Sequence, residues 1–291
     1  PGSGKTTLLK WLALVTARAP LATHAVLGTA LHHLPLLVSV GRLAELRSMV
    51  GEAATVVDVM ARYFRERDVE QDEAGLREFL DQALRQGRCL VLLDGLDEVH
   101  SEAREGVMRW LEAFAIQYPA NRFIASARQV GYVGLELPGA AEVILGPFED
   151  EQVRRYVHSF QRAYKAWEEG SPDDVTADRS ATQLLDAPFA NQRLHELSRN
   201  PFILSSLALI HRAEGQLPRH RVQAYEIFAR TLCETWGQAR RLVAGGPEEE
   251  QLRYEEEAVP ILGRLALEMH RQWPTGVAPE GFIVEVLTSA I

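Results

Sequence analysis

Between Cys89 and Glu98 the chain reads Cys-Leu-Val-Leu-Leu-Asp-Gly-Leu-Asp-Glu, four consecutive branched apolar residues running straight into acids. A strand with one wet face alternates apolar and polar residues, whereas an unbroken apolar run bounded by turn residues reads as a strand covered on both sides. Such strands belong to parallel sheets whose crossover helices pack on both faces. The neighbouring sequence fits that frame. Leu36 to Val40 and residues 122–126 and 142–145 read as further strands, with helices expected over about 53–66, 74–86 (ending near Gly87) and from Ser101 to about Ile116. Strand and helix alternating in this way predict an α/β domain with a parallel sheet. Asp94 then falls at the carboxyl end of its strand, the side of an open α/β sheet where ligands bind.

The chain begins Pro1-Gly2-Ser3-Gly4-Lys5-Thr6-Thr7 and continues into a helix expected from Lys5 to Ala17, with Leu8, Leu9, Leu12 and Val15 at helical spacing and Pro20 past its end. These residues match the latter part of the phosphate-loop pattern G-x-x-x-x-G-K-[ST]. The first glycine and the strand feeding the loop are therefore expected upstream of residue 1. Residues 1–291 alone are expected to expose unpaired strand edges and to aggregate. Gly2 and Gly4 let the backbone turn its N–H groups toward phosphate oxygens, and the following helix adds its positive end. Lys5 would reach the β and γ phosphates, Thr6 would ligate Mg²⁺ and Thr7 would meet the α phosphate. Asp94 is placed to complete the Mg²⁺ site through water, and Asp97 and Glu98 are both candidates for orienting or deprotonating the attacking water. Alone, each segment has an ordinary reading, a Gly/Ser-rich tail and a solvated acidic turn; together they point to a nucleoside triphosphate.

Leu92-Leu93-Asp94-Gly95-Leu96-Asp97-Glu98-Val99 resembles the Walker B segment of NACHT domains, in which a small residue follows the Mg²⁺ aspartate and two acids follow soon after. These domains belong to the STAND class of signalling NTPases, relatives of the AAA+ proteins. Asn121-Arg122-Phe123-Ile124-Ala125-Ser126-Ala127-Arg128 is similar to the sensor 1 segment of the same family. The family usually closes that segment with Thr-Ser-Arg, and here Ser126-Ala127-Arg128 keeps the arginine and moves the hydroxyl one place earlier. The resemblance implies that Arg128 senses the γ phosphate and leaves the part played by the hydroxyl open. Gly146-Pro147-Phe148 and the following Glu149-Asp150-Glu151-Gln152-Val153 resemble the family's passage from the last strand into a helical domain. Asn200-Pro201-Phe202-Ile203-Leu204 is similar to the motif whose proline packs near adenine, although Asn200 and Pro201 also suit a helix start. Leu217-Pro218, Arg221 and Tyr225-Glu226 match later landmarks whose role is mostly structural.

The resemblance implies three modules: a P-loop nucleotide-binding domain over 1–148, a small helical domain over 149–245, and the start of a winged-helix domain over 246–291. Helices are expected near 150–167, 190–199, 201–213, 219–241 and 251–271, with breaks at residues 168–174 and at Gly245-Gly246-Pro247. The implied function is an ATP/ADP- and Mg²⁺-binding switch that hydrolyses slowly and self-associates on activation, in a signalling or defence setting. Effector and sensor domains would flank the chain. A continuously cycling ATPase motor, or a scaffold that binds nucleotide without turnover, is the alternative. Neither an arginine finger nor a pore loop is readable, which favours the switch.

Composition sets the remaining bounds. With 46% hydrophobic and 24% charged residues over 291 positions, the chain can bury more than one core. The cysteines, Cys89 and Cys233, are far apart, which suits a reducing, cytoplasmic setting and suggests no disulfide framework. A net charge of −9 argues against bulk nucleic-acid binding by this region. No apolar run reaches the ~20 residues of a membrane-spanning helix. The nine histidines form no H-E-x-x-H pair, and no G-x-S-x-G elbow is present.

Overall fold

The computed structural model describes residues 2–18, 32–67, 72–99, 101–129, 139–169, 174–190, 192–214, 217, 222–223, 225–227, 229–230, 254–273 and 278–289. The chain divides into two compact units, Pro1–Gly146 and Pro147–Ile291.

The first unit is built on a parallel three-stranded sheet of order β1 (Leu34–Ser39), β2 (Cys89–Asp94) and β3 (Arg122–Ala125). Register pairs Ser39 with Asp94 and Leu93 with Ala125, so the carboxyl ends of the three strands lie side by side. The two-faced character of β2 is real. Cys89, Val91 and Leu93 join Leu36 and Val38 in the larger core, and Leu90 and Leu92 pack on the opposite face with Leu9 of α1 (Lys5–Arg18). The larger core is closed by α2 (Val40–Val50), α3 (Val56–Arg65), α4 (Glu73–Arg85) and α5 (Ser101–Gln117), which supply Leu43, Leu46, Met60, Leu80, Leu84, Leu111 and Phe114. The chain is thus an α/β protein with helices on both faces of its sheet.

Local chemistry sets the helix ends. Ser39 is the last residue of β1 and also the N-cap of α2, its hydroxyl accepting from the Arg42 N–H. Thr55 and Asp58 form a reciprocal capping box at α3, and Asp72 caps α4. Gly87 turns the chain between α4 and β2 at φ 65°, where a Cβ would stand 2.8 Å from the Cβ of Ala120.

Beside that turn Asn121 is buried and fully used: its Oδ1 accepts the Cys89 N–H (2.9 Å), and its Nδ2 donates to the carbonyls of Leu84 (2.7 Å) and Tyr118 (3.0 Å). One side chain thereby ties the start of β2 to the ends of α4 and α5. Asn121→Ala is expected to cost about 1–3 kcal/mol, because it leaves the buried Cys89 N–H without its acceptor, while the Leu84 and Tyr118 carbonyls keep the N–H groups of Gly87 and residue 121. The check is the midpoint of urea unfolding, which should fall with little change in slope.

Four expectations differ from the structure. Residues 142–145 form no strand: Val143 and Ile144 are exposed, and nothing among the described residues pairs with them. Val40, expected to end β1, instead opens α2, a helix the spacing had not suggested. The helix expected over 53–66 begins only at Val56, where the Thr55 capping box fixes it. The break expected over residues 168–174 is shorter than that, with the preceding helix running to Glu169 and a further helix, not expected from the sequence, over Asp174–Ala190.

The second unit is helical: α6 (Asp150–Glu169), α7 (Asp174–Ala190), α8 (Gln192–Ser198) and α9 (Pro201–Glu214). Val153 and Val157 of α6, Ala181, Leu184 and Leu185 of α7, and Leu204 and Ala208 of α9 share one core. Asp178 joins α7 to α6 through Arg162 (2.9 Å) and His158 (3.0 Å). After a turn of π-helix at Tyr254–Ala258 come α10 (Val259–Gln272) and α11 (Glu280–Thr288), with Trp273 and Phe282 in ring contact. Most of the helix expected over 219–241, with Pro218 and Arg221, lies outside the described residues, as does the Gly245-Gly246-Pro247 break.

Candidate functional site

The phosphate-loop residues keep the backbone that their sequence demands. Gly2 and Gly4 adopt φ 75° and φ 86°, conformations closed to most side chains, and a Cβ on Gly4 would meet nothing within 4 Å. Lys5 opens α1, the Leu8 N–H bonds the Gly4 carbonyl at 2.8 Å, and the Lys5 Nζ lies 3.5 Å from the Ser3 Oγ. Thr6 and Thr7 are exposed, and Pro1 lies outside the described residues. The N–H groups of a helix start and an ammonium held only by a long contact to the Ser3 hydroxyl among the described residues thus sit at one turn, which is the donor set a phosphate needs.

The acidic residues gather at the carboxyl ends of β2 and β3. Asp94 ends β2, and Gly95 follows in the left-handed region (φ 78°, ψ 58°) before a single 3₁₀ turn, Leu96–Glu98. A Cβ on Gly95 would lie 2.7 Å from Cδ and 2.8 Å from Oε2 of Glu98, so the missing side chain makes room for the Glu98 carboxyl. That explains the small residue at this place in physical terms: it permits the backbone turn and admits the acid three positions on.

Asp97 and Glu98 have different surroundings. The Asp97 side chain is only 10% exposed; its Oδ1 accepts the Arg128 N–H at 2.8 Å, and its Oδ2 lies 3.4 Å from the Arg128 Nε. The Arg128 side chain remains 58% exposed. Glu98 is an exposed residue whose carboxyl tucks against Gly95; that partial burial first, then the negative charges of Asp94 and Asp97, push its pKa up, with Arg128 pulling it back. One acid is committed to a cation, and its neighbour is held nearer to protonation.

Sequence reasoning left the Ser126 hydroxyl without a role. The structure puts it at the centre of the turn: it donates to Asp94 Oδ1 at 2.6 Å and accepts the Gly95 N–H at 3.0 Å. The available signal was a polar residue directly after an apolar strand that lies beside β2, but its partner is set by strand register, which sequence alone did not supply.

Not every expected residue is joined to this cluster. Among the described residues, no hydrogen bond or ion pair links the loop Gly2–Thr7 to Asp94, Asp97 or Glu98; what is observed is α1 packed on the sheet through Leu9, Leu90 and Leu92. Pro201 opens α9 in the second unit, where Asn200 Oδ1 accepts the N–H of Phe202 (3.0 Å) and Ile203 (3.3 Å). No group of three or more His, Cys, Asp or Glu among the described residues could hold a metal by itself. A magnesium ion suits that finding, because it is usually held by one or two carboxylates together with phosphates and water. Asp94 fits: Ser126 takes Oδ1, and Oδ2 has no hydrogen bond among the described residues. No helix of the described residues is long and apolar enough to cross a membrane.

A glycine loop at a helix start, a parallel sheet covered on both faces and an acid at the end of a central strand define a P-loop NTPase. The NACHT domain family model matches residues 1–164, more than half of the chain, and the chain belongs to that family. It is a nucleotide-binding NTPase module. No curated protein matches it.

Proposed function

We propose that this chain is the nucleotide-dependent switch of a STAND-type signalling ATPase, which binds ATP with Mg²⁺, hydrolyses it slowly and couples nucleotide state to self-association. In this reading Gly2, Ser3 and Gly4, with Pro1 before them, wrap the phosphates, Lys5 reaches the β and γ phosphates and Thr7 the α phosphate. Thr6 and Asp94 hold the metal, whose charge offsets that of the phosphates. Glu98 accepts the proton of the attacking water, since its carboxyl is held nearer to protonation than an ordinary glutamate and Asp97 is engaged with Arg128. Pro201 packs near adenine, with 149–245 as helical domain and 246–291 as the start of a winged helix.

The observation that carries the switch is the pairing of Arg128 with Asp97, one residue from Glu98. An anion in front of Arg128 competes with Asp97 for the guanidinium, so the γ phosphate changes the partner of a charge. A ligand shifts a conformational equilibrium only through differential contacts of this kind. Arg128→Ala is expected to lower the preference for an ATP analogue over ADP by about 10-fold or more, the weight of one charge-assisted hydrogen bond. Calorimetric titration with both nucleotides checks it, and an unchanged ratio removes the sensing role.

The wider reading is tested by identifying the nucleotide that copurifies with the full-length protein and measuring turnover together with oligomeric state. Tight ADP and near-zero turnover in a monomer support the switch. Many turnovers by a constitutive ring overturn it in favour of a motor.

A further inference from the structure

Ser126 meets the end of β2 and the turn that follows it through every polar atom it has. Its N–H donates to the Leu93 carbonyl (2.9 Å), its carbonyl accepts the Leu96 N–H (2.8 Å), its Oγ accepts the Gly95 N–H (3.0 Å), and its hydroxyl proton goes to Asp94 Oδ1 (2.6 Å). The residue is 8% exposed, one of few buried polar side chains among the described residues. A carboxylate has no proton to give, so in this bond Ser126 donates and Asp94 accepts, while the Ser126 oxygen accepts the Gly95 N–H. One carboxylate oxygen is thereby fixed, the side-chain torsion of Asp94 is held, and Oδ2 is the oxygen left to face a ligand.

We infer that Ser126 is the positioning residue of the metal site: its hydroxyl presets the Asp94 carboxylate so that Oδ2 is aimed at Mg²⁺. This rests on the nucleotide reading above and extends it to a side chain that touches neither nucleotide nor metal. Hydrogen-bonded partners behind a metal ligand orient it, and their loss typically lowers metal affinity 10- to 100-fold. The same bonds also brace the left-handed turn at Gly95, so a purely structural role is the competing account. The two separate on the metal dependence of binding.

The test titrates ADP into the full-length protein, once with MgCl₂ and once with EDTA, for wild type, Ser126→Ala, Ser126→Thr and Ser126→Cys. The readout is the ratio of Kd in EDTA to Kd in Mg²⁺, which is insensitive to a uniform loss of competent protein. Wild type should give a ratio of at least about 10, Ser126→Ala a ratio near 1 to 3, and Ser126→Thr, which keeps the donor, a ratio close to wild type. Should Ser126→Ala fail to fold, Ser126→Cys keeps a side chain at the position with a weaker donor and should give an intermediate ratio. A wild-type ratio in the alanine or cysteine variant overturns the assignment and leaves Ser126 as a brace of the turn. Absence of ADP binding by wild type in both conditions is a different failure, one that removes the nucleotide reading itself.

Discussion

Lys5→Ala is expected to weaken ATP and ADP binding by at least about 100-fold and to abolish the thermal stabilisation that nucleotide confers. Lys5 is the first residue of α1, and its ammonium, 3.5 Å from the Ser3 hydroxyl, makes no ion pair among the described residues. It is therefore available to a phosphate without first breaking a strong contact. Loss of charge-assisted hydrogen bonds worth roughly 1.5–3 kcal/mol each corresponds to about 10- to 100-fold apiece, and one ammonium can serve both the β and γ phosphates. The fold itself should hardly notice, since lysine and alanine are both strong helix formers. Melting curves separate the two effects. Without nucleotide the variant should melt within about 1 °C of wild type, whereas saturating ADP, worth about 2.7 kcal/mol at a hundred times Kd, should raise Tm only in wild type. Undiminished affinity in the variant sinks the assignment of the loop.

How far the fold could be read from sequence depended on how locally each element is determined. β2 is legible to the residue because both of its faces are buried and the polar Arg88 and Asp94 mark its ends. The helices capped by Thr55 and Asp72 were found with small errors at their starts, since the helical periodicity lies within the segment itself. α2 was missed because nothing separates it from β1: Ser39 closes the strand and caps the helix at once, and β-branched Val40 reads as more strand. α7 is hidden behind the polar run 168–174 that reads as a loop, although Ala177, Ala181 and Leu184 recur at helical spacing and are buried. Residues 142–145 have strand composition, but a strand is defined by its neighbour, which composition cannot supply. The candidate site follows the same rule. Residue types and spacings at Asp94, Asp97 and Glu98 were legible, whereas the partner of each was not. The Arg128–Asp97 pair and the Ser126–Asp94 bond both span more than thirty residues and exist only because β3 lies parallel to β2 in a fixed register.

Glu98→Gln separates the two acids that sequence could not rank, and it makes two predictions of different kinds. The first concerns chemistry: hydrolysis should fall by about 100-fold or more, the usual weight of a positioned general base, while ATP affinity is kept. The second concerns stability. The folded pKa of Glu98 lies above its ordinary value of 4.5, through burial of its carboxyl against Gly95 and the negative charges of Asp94 and Asp97. An acid whose pKa rises on folding binds its proton more tightly in the folded state, so its ionisation opposes folding. That opposition is absent below the unfolded pKa, grows as pH rises through the interval up to the folded pKa, and is complete above it. Glutamine keeps the shape and removes the charge. The nucleotide-free variant should therefore be more stable than wild type at pH 7, by roughly 1–2 °C given screening at an exposed residue, and the gap should close toward pH 4. Asp97→Asn is the contrasting variant. Asp97 is held by Arg128, so its loss frees the guanidinium and should alter ATP-versus-ADP preference, without the stabilisation expected at Glu98. If Asp97→Asn instead abolishes hydrolysis and Glu98→Gln leaves it intact, the proton goes to Asp97, and the pairing with Arg128 must open before each turnover.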